Sequence, residues 1–208
     1  MKTSVSEGIW RGTMANRQTA GKEGDMPSDN ESPAIWTIGH SNRSQEELLA
    51  LLDSASIEQV VDIRRFPGSR RQPQFARDAL TDAFAQRGIL YRHLPELGGR
   101  RGKPASDSPN TGWRVAQFAA YADHMQSEEF DRGLEALMLI AATRRSAMMC
   151  SEAVPWRCHR RLVADALTVR GWKVCDIMAI NKVTLHTLTD FASVRGGLLT
   201  YPASNVEE

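Results

Sequence analysis

A chain of 208 residues with 41% hydrophobic and 25% charged side chains has the composition of an ordinary globular domain. Its formal net charge of +1 excludes a strong overall field that would draw it to nucleic acid or acidic lipid. The N-terminus lacks the apolar core of a signal peptide, and no stretch approaches the roughly 20 apolar residues of a membrane span. We therefore expect a cytoplasmic protein that does not bind membranes.

Residues 1–33 and the rest of the chain have different patterns. The first 33 residues are rich in small and polar side chains without periodicity, which predicts a disordered N-terminal arm. From residue 34 onward, short β-prone runs alternate with amphipathic segments, and Ser44 with Glu47 forms a capping box that begins a helix. This alternation predicts an α/β fold, a single domain over residues 34–208 with a mostly parallel five-stranded sheet flanked by helices.

The predicted elements follow in chain order. We expect strands at 35–38, 60–63, 89–91, 147–150 and 173–178, and helices from 44 onward and at 77–87, 113–125, 127–143 and 155–170, with an irregular C-terminal segment.

The cysteines and arginines bear on the chemistry. Cys150, Cys158 and Cys175 cannot all pair among themselves, which fits free thiols in a reducing compartment. Of the 26 basic residues 21 are arginines, several of them in adjacent pairs. Arginine binds phosphate and carboxylate through two parallel N–H bonds, so this bias favours an anionic ligand, although solvated surface charge explains any single pair equally well.

Polar side chains follow the carboxyl ends of the predicted strands. In open α/β sheets the loops at this edge build the functional site. The candidate site residues in these loops are His40, Ser41, Asn42, Asp62, Arg64, Arg70, Gly98, Gly99, Cys150, Glu152, Cys158, His159 and Arg160.

Several ordered motifs resemble one bacterial family. They are TIGHSN (37–42), VDIR (61–64), PGSR (67–70), LGG (97–99), CSEAVPWRCHR (150–160) and LTYP (199–202). Together they are similar to the family called domain of unknown function 488, over about residues 34–202. The resemblance implies a compact α/β fold and a role for the motif residues, but it implies no reaction and no cofactor.

Glu152 is the first candidate for chemistry. A carboxylate directly beyond an apolar strand is costly to bury unless it is paired or used. We expect it to act as a general acid–base or a nucleophile, with His40 assisting, or else to anchor Arg64 or Arg160. Together with Arg70, those two arginines make the best clamp for an anion.

The neighbouring polar residues are candidates for substrate binding. His40, Ser41 and Asn42 resemble a small hydrogen-bonding platform for a ligand, although Ser41 or Ser44 could simply cap the following helix. Asp62 either holds an arginine or caps a turn. Gly98 and Gly99 are included because they follow the third strand.

The two thiols of the 150–160 motif allow several roles. Cys150 has its arginine seven positions on instead of six and a carboxylate within the loop, which speaks against sulfur or phosphoryl transfer and favours a buried structural cysteine. Cys158, expected on the first turn of a helix beside Arg157, would have a lowered pKa. His159 is either a core histidine or a catalytic one. These three residues and His40 do not have a recognised zinc spacing, so no metal is predicted.

Three functional hypotheses remain at this point. The first is an enzyme or ligand-binding domain that acts on an anionic, nucleotide-like or phosphorylated molecule in a cleft at the strand ends. The second is a nucleic-acid-binding or DNA-repair accessory module, suggested by the arginine pairs and the basic stretch 100–103. The third is a thiol- or sulfur-handling protein that uses Cys158.

Overall fold

The structure, a computed structural model, describes residues 32–68 and 71–203. Its strands are β1 (Ala34–Gly39), β2 (Gln59–Asp62), β3 (Leu90–His93), β4 (Ser146–Cys150), β5 (Lys173–Ala179), β6 (Lys182–Leu185), β7 (Ser193–Arg195) and β8 (Leu198–Thr200). Its α-helices are α1 (Gln45–Ser54), α2 (Arg77–Gln86), α3 (Ala116–His124), α4 (Glu128–Ala141) and α5 (Arg160–Val169), with short 3-10 helices at Pro73–Phe75, Pro95–Leu97 and Pro155–Arg157.

The main sheet has six strands in the order β3-β2-β4-β1-β5-β6. The first five are parallel, and β6 pairs antiparallel with β5 at one edge. β7 and β8 form a separate antiparallel pair. The predicted mostly parallel α/β fold is therefore confirmed, while the predicted count of five strands is one too few.

Alternate residues of the strands build two apolar cores, one on each face of the sheet. Ile38, Val60 and Met149 point toward α1 and α2, where Leu52 and Phe84 pack against them. Their neighbours in sequence point the other way, toward α3, α4 and α5; this second core includes Ile35, Val61, Met148, Leu134 and Leu162. Because both faces of the sheet are covered, every residue of β2 and β4 is buried, and neither strand alternates between buried and exposed positions.

β6 was missed because it lacks the pattern that predicts a strand. All four of its residues are exposed, and the sequence places Val183 and Leu185 on a solvent-facing edge. The strand exists because its backbone pairs with β5, with Asp176 opposite Thr184. Whether such an edge strand forms depends on pairing with its neighbour and not on the β propensity of its own residues.

The predicted helix at 155–170 is in fact two elements. Pro155 begins a single 3-10 turn, and Cys158 then has extended backbone angles, φ −132° and ψ 143°. α5 begins only at Arg160, so Cys158 lies in a bend before the helix instead of on its first turn.

The predicted arm, residues 1–33, lies outside the described residues except for its last two, and it stays a prediction. Within the described part of the chain, no helix has the length and apolar character needed to cross a membrane.

A buried carboxylate fixes the C-terminal segment to α5. Asp165 is fully buried and accepts hydrogen bonds from His186 Nε2 at 2.8 Å and from the hydroxyls of Thr189 at 2.6 Å and Tyr201 at 2.9 Å. Although burial alone would lower the pKa of His186, its contacts with Asp165 and Asp176 raise that pKa to about 9. His186 is therefore a buried cation at neutral pH.

This cation gives the protein a pH-dependent stability. The pKa of about 9 in the folded protein lies above the ordinary value of 6.5. His186 therefore makes its full contribution to the free energy of unfolding below pH 6.5, and this contribution is lost as the pH rises through 9. We predict that His186→Gln lowers the free energy of unfolding by about 2–3 kcal/mol at pH 6 and by much less at pH 10. Urea unfolding of both proteins at the two pH values measures this. A loss of equal size at both would contradict the assignment.

Candidate functional site

The site lies where β1 and β4 run side by side. Gly39 is in register with Cys150, and the chain leaves β1 toward β2 but leaves β4 toward β5, in the opposite direction across the sheet. Such a switch point opens a crevice at the carboxyl ends of the strands. The two loops are tied together because the N–H of His40 donates to the carbonyl of Cys150 at 3.0 Å and that of Ser41 to Ser151 at 2.8 Å.

A pocket of about 720 Å³ occupies this crevice. Of the predicted site residues, those that line it are His40, Ser41, Asn42, Arg64, Gly99, Cys150, Glu152, Cys158 and His159. Asp62, Gly98 and Arg160 lie behind its wall, and Arg70 is outside the described residues. The structure thus brings together groups from the loops after four different strands.

Arg64 is a buried cation held in one orientation. The Asp62 carboxylate, fully buried beneath it, accepts hydrogen bonds from Arg64 Nε at 2.9 and 3.0 Å and from Arg64 Nη2 at 2.6 Å. Tyr91 donates its hydroxyl to the same carboxylate at 2.7 Å, and burial together with Asp62 raises the pKa of that phenol. Asp62 therefore holds an arginine, as one of its two predicted roles required.

His40 completes the fixation of Arg64. Its Nδ1 lies 2.9 Å from the Ser41 carbonyl oxygen, and its Nε2 lies 3.1 Å from Nη1 of Arg64. Because arginine only donates, Nε2 must be the bare nitrogen and Nδ1–H the donor. Burial and the Arg64 charge lower the pKa of His40, which keeps this neutral tautomer. His40 thus orients the arginine in the resting pocket.

The Asp62–Arg64 pair should dominate the stability of this region. We predict that Asp62→Asn, which removes the charge but keeps the shape, lowers the free energy of unfolding by about 3 kcal/mol because it leaves Arg64 buried without its counter-ion. Asp53→Asn is the matched control, since the Asp53–Arg87 pair is about half exposed and should be worth less than about 1 kcal/mol. Urea unfolding of the two variants measures both, and equal losses would contradict the account.

Cys150, Cys158 and His159 form a compact cluster in the pocket wall. His159 Nδ1 lies 3.6 Å from the sulfur of Cys150 and 3.8 Å from that of Cys158. On the other side of the ring, Nε2 lies 3.3 Å from the Ile63 carbonyl, which makes Nε2–H the donor and Nδ1 the bare nitrogen. Both cysteines are free and buried.

The structure reverses the sequence expectation for the two thiols. The hydrogen bond from Cys158 and the neighbouring His159 lower the pKa of Cys150, whereas burial and the adjacent Cys150 raise the pKa of Cys158. The expectation for Cys158 was wrong because the residue precedes α5 and is not on its first turn.

Arg160 was predicted to bind an anion, but its guanidinium is occupied by groups of the protein itself. It is 1% exposed, and its guanidinium donates to the carbonyls of Glu152 and of Ala153 and to the hydroxyl of Thr37. These contacts hold the loop after β4 in place. Gly39 lies against the same loop, where a Cβ atom would come within 1.7 Å of the Glu152 carbonyl oxygen.

The two glycines after the 3-10 helix at Pro95–Leu97 allow close approach. A Cβ on Gly98 would meet the backbone of Arg65 at 2.7 Å, and one on Gly99 would meet Nδ1 of His159 at 2.3 Å. Gly98 therefore shapes the wall of the pocket, while Gly99 lets the loop pack onto the imidazole ring.

We predict that Gly99→Ala destabilises the protein by about 1–3 kcal/mol, because the methyl group and the ring of His159 require the same space. Gly102→Ala is the matched control in the same loop, where a Cβ would have nothing within 4 Å, and it should change the stability by less than about 0.5 kcal/mol. Thermal and urea unfolding of both variants test this. Identical stabilities would show that the ring is not confined by Gly99.

Glu152 has an exposed side chain on the rim of the pocket. The burial cost that first drew attention to it is therefore absent. Within the described part of the chain its carboxylate has no hydrogen bond or ion pair, and it anchors neither Arg64 nor Arg160, whose contact is with its backbone carbonyl. Glu152 thus lines the pocket as an exposed residue.

Sequence reasoning missed several residues that line the pocket. They are Arg65, Phe66, Gly68, Arg71, Gln72, Arg100, Gln117, Phe118, Ser151 and Arg157. Three of these, Arg65, Arg71 and Arg100, belong to adjacent arginine pairs, but the pairing alone does not separate arginines that line a pocket from solvated ones. Gln117 and Phe118 come from α3, which no motif connected with the strand ends.

The comparisons with known proteins give one match. The model of the family described as "Domain of unknown function DUF488" matches residues 44–167, more than half of the chain. The chain belongs to this family. No curated protein and no solved structure matches the chain.

The range matched to the DUF488 family contains most of the pocket. Arg64, Cys150, Glu152, Cys158 and His159 lie within residues 44–167, whereas the segment His40–Asn42 precedes them. The predicted membership is confirmed, and it assigns no activity to these residues.

Proposed function

We propose that the protein is a cytoplasmic enzyme or ligand-binding domain that binds a phosphorylated, nucleotide-like small molecule in the pocket between the loops after β1 and β4. The observation that carries the proposal is the charge of the pocket wall. Five arginines line it, Arg64, Arg65, Arg71, Arg100 and Arg157. Within the described residues, Glu152 is the one carboxylate among the lining side chains.

The size of the pocket favours a small molecule. A volume of about 720 Å³ lies within the range of roughly 300–1,000 Å³ that ligand sites occupy. Phe66 and Phe118 also line the pocket and offer apolar surface beside the cations. A ligand with an anionic group and a flat, less polar part, such as a nucleotide, suits this combination.

Arg64 is the best placed of these cations. A guanidinium has five N–H donors. In Arg64, Nε and Nη2 each donate one hydrogen bond to Asp62, and Nη1 donates one to His40. The second N–H of each terminal nitrogen is left for a ligand. Because Asp62 and His40 already fix the orientation, an anion would bind to it with little loss of side-chain entropy.

Glu152 is the candidate for acid–base work on the bound molecule. It shares the pocket with the arginines and its carboxylate is not engaged by another described side chain. An exposed carboxylate beside the bound molecule can accept a proton from that molecule or from water. His40 would assist by positioning Arg64 and not by exchanging its own proton.

The nucleic-acid alternative is less well supported. It depended on the arginine pairs and on the basic stretch 100–103, but in that stretch Arg101 contacts the Glu96 carbonyl at 2.9 Å, His124 Nε2 at 2.6 Å and Glu129 at 3.4 Å. Only Arg100 of that arginine pair lines the pocket. The thiol alternative loses its support at Cys158, because this residue precedes α5 and does not lie on the first turn of that helix.

Calorimetric titration with inorganic phosphate and with AMP tests the proposal, with adenosine as the uncharged control. We predict that phosphate and AMP bind and that Arg157→Gln weakens both by about 3–10-fold, because an exposed pocket cation contributes about 1 kcal/mol. Arg92→Gln, an exposed arginine outside the pocket, should bind as the wild type does. Glu152→Gln should bind phosphate about twofold more tightly or better, since it removes a like charge from the pocket.

Two results would contradict this proposal. If Arg157→Gln and Arg92→Gln weakened phosphate binding equally, the loss would come from the lower net charge of the protein and not from a contact in the pocket. Unchanged phosphate affinity in Glu152→Gln would place the anion away from that carboxylate and remove its proposed role.

A further inference from the structure

The cluster of Cys150, Cys158 and His159 has a second property that the anion-binding proposal does not use. The two sulfur atoms and one ring nitrogen all lie within 4.8 Å of one another. It is the one group of three such ligand atoms that we find in residues 32–68 and 71–203. All three residues also line the pocket, so the cluster forms part of its wall.

The distances match those between the ligands of a tetrahedral metal ion. With zinc–sulfur bonds of about 2.3 Å and zinc–nitrogen bonds of about 2.0–2.1 Å, tetrahedral angles place a sulfur about 3.6 Å from the nitrogen. The observed distances from His159 Nδ1 are 3.6 Å to Cys150 and 3.8 Å to Cys158. Both nitrogen-to-sulfur separations are therefore already close to those that a bound ion would require, and the two sulfurs lie within 4.8 Å of each other.

His159 has the tautomer that a metal ligand needs. Its Nε2–H points to the Ile63 carbonyl at 3.3 Å, and the lone pair of Nδ1 faces the two sulfurs. Histidines that bind metals nearly always donate their other ring N–H to a carbonyl or carboxylate in this way. The packing of Gly99 against the ring limits its rotation.

We propose that Cys150, Cys158 and His159 bind a divalent transition-metal ion of the zinc type, with its fourth coordination position open to the pocket. Two thiolates and an imidazole are a soft ligand set that suits zinc and not magnesium or calcium. Three protein ligands with one open position are typical of catalytic zinc sites, whereas structural sites are closed by four. The sequence predicted no metal because the spacing of residues 150, 158 and 159 matches no common zinc motif.

A disulfide is the competing explanation for two neighbouring thiols. It would account for the approach of Cys150 to Cys158, but it needs no third residue. The position of His159 Nδ1, at nearly equal distances from both sulfurs and with its lone pair toward them, is what the metal site explains and a disulfide does not. Metal binding at these three atoms does not depend on whether the arginines bind an anion.

Cobalt binding tests the site directly on the full chain. The protein is reduced, freed of metal with a chelator, desalted, and titrated anaerobically with Co²⁺ alone. We expect saturation at one ion per chain, with sulfur-to-cobalt charge transfer in the near ultraviolet and the intense visible bands of a tetrahedral ion. Added Zn²⁺ should displace the cobalt and abolish both signals.

Variants assign the ligands. Cys150→Ser, Cys158→Ser and His159→Gln should each weaken cobalt binding by more than the roughly 10–100-fold that loss of an outer partner costs. Cys175→Ser is the matched control, because Cys175 is also a free buried cysteine but lies on β5, outside the cluster. Its cobalt spectrum and affinity should equal those of the wild type. Circular dichroism of each variant confirms that the fold is retained.

The wild-type titration keeps the test decisive even if a variant does not fold. If the reduced wild type shows no charge-transfer bands with cobalt, the metal site is overturned. The same holds if mass spectrometry finds a Cys150–Cys158 disulfide and the protein still does not bind cobalt after that disulfide is reduced. Equal loss of cobalt binding in Cys175→Ser would also overturn it. Phosphate is left out of these titrations, so failure of the anion proposal and failure of the metal site give separate results.

Discussion

The buried pair of Asp62 and Arg64 is the interaction on which the rest of the site depends. Removing two charges from water costs several kcal/mol for each ion, and their attraction offsets this only with good geometry and further hydrogen bonds. Here the carboxylate receives three contacts from the guanidinium and one from Tyr91, and His40 accepts from the remaining terminal nitrogen. The result is a cation whose position is fixed before any ligand arrives.

The topology of the sheet explains why this cation meets the other reactive groups. The loops after β1 and β4 leave the sheet in opposite directions, and their backbones remain hydrogen bonded for two residues before they diverge. Arg160 holds the second of these loops through the carbonyls of Glu152 and Ala153. The thiols, the imidazole of His159 and the exposed carboxylate of Glu152 are thereby placed around one pocket. A preorganised site of this kind needs little rearrangement on binding.

Much of this arrangement could be predicted from sequence because it follows from strand ends. Apolar runs locate β1, β2 and β4, and the rule that their carboxyl ends share an edge brings His40, Arg64 and Cys150 together. The edge strand β6 could not be found this way, since its exposed residues have no buried face to create a pattern.

The other predictions that failed concern side chains whose contacts are set only when the chain folds. The roles of Arg64 and Arg160 look alike in the sequence, yet one faces the pocket and the other is enclosed by loop carbonyls. Cys158 was assigned to a helix because Pro155 is a good first helical residue, whereas the turn it begins ends after Arg157. The approach of His159 to both sulfurs depends on that bend and on Gly99, and no spacing rule contains either of them.

The most direct test of the central claim is a crystal structure of the protein grown with AMP. The account predicts that the phosphate lies in the pocket between the loops after β1 and β4, with its oxygens within hydrogen-bonding distance of the terminal nitrogens of Arg64. A structure in which AMP binds elsewhere, or in which the pocket holds only water at saturating AMP, would contradict it.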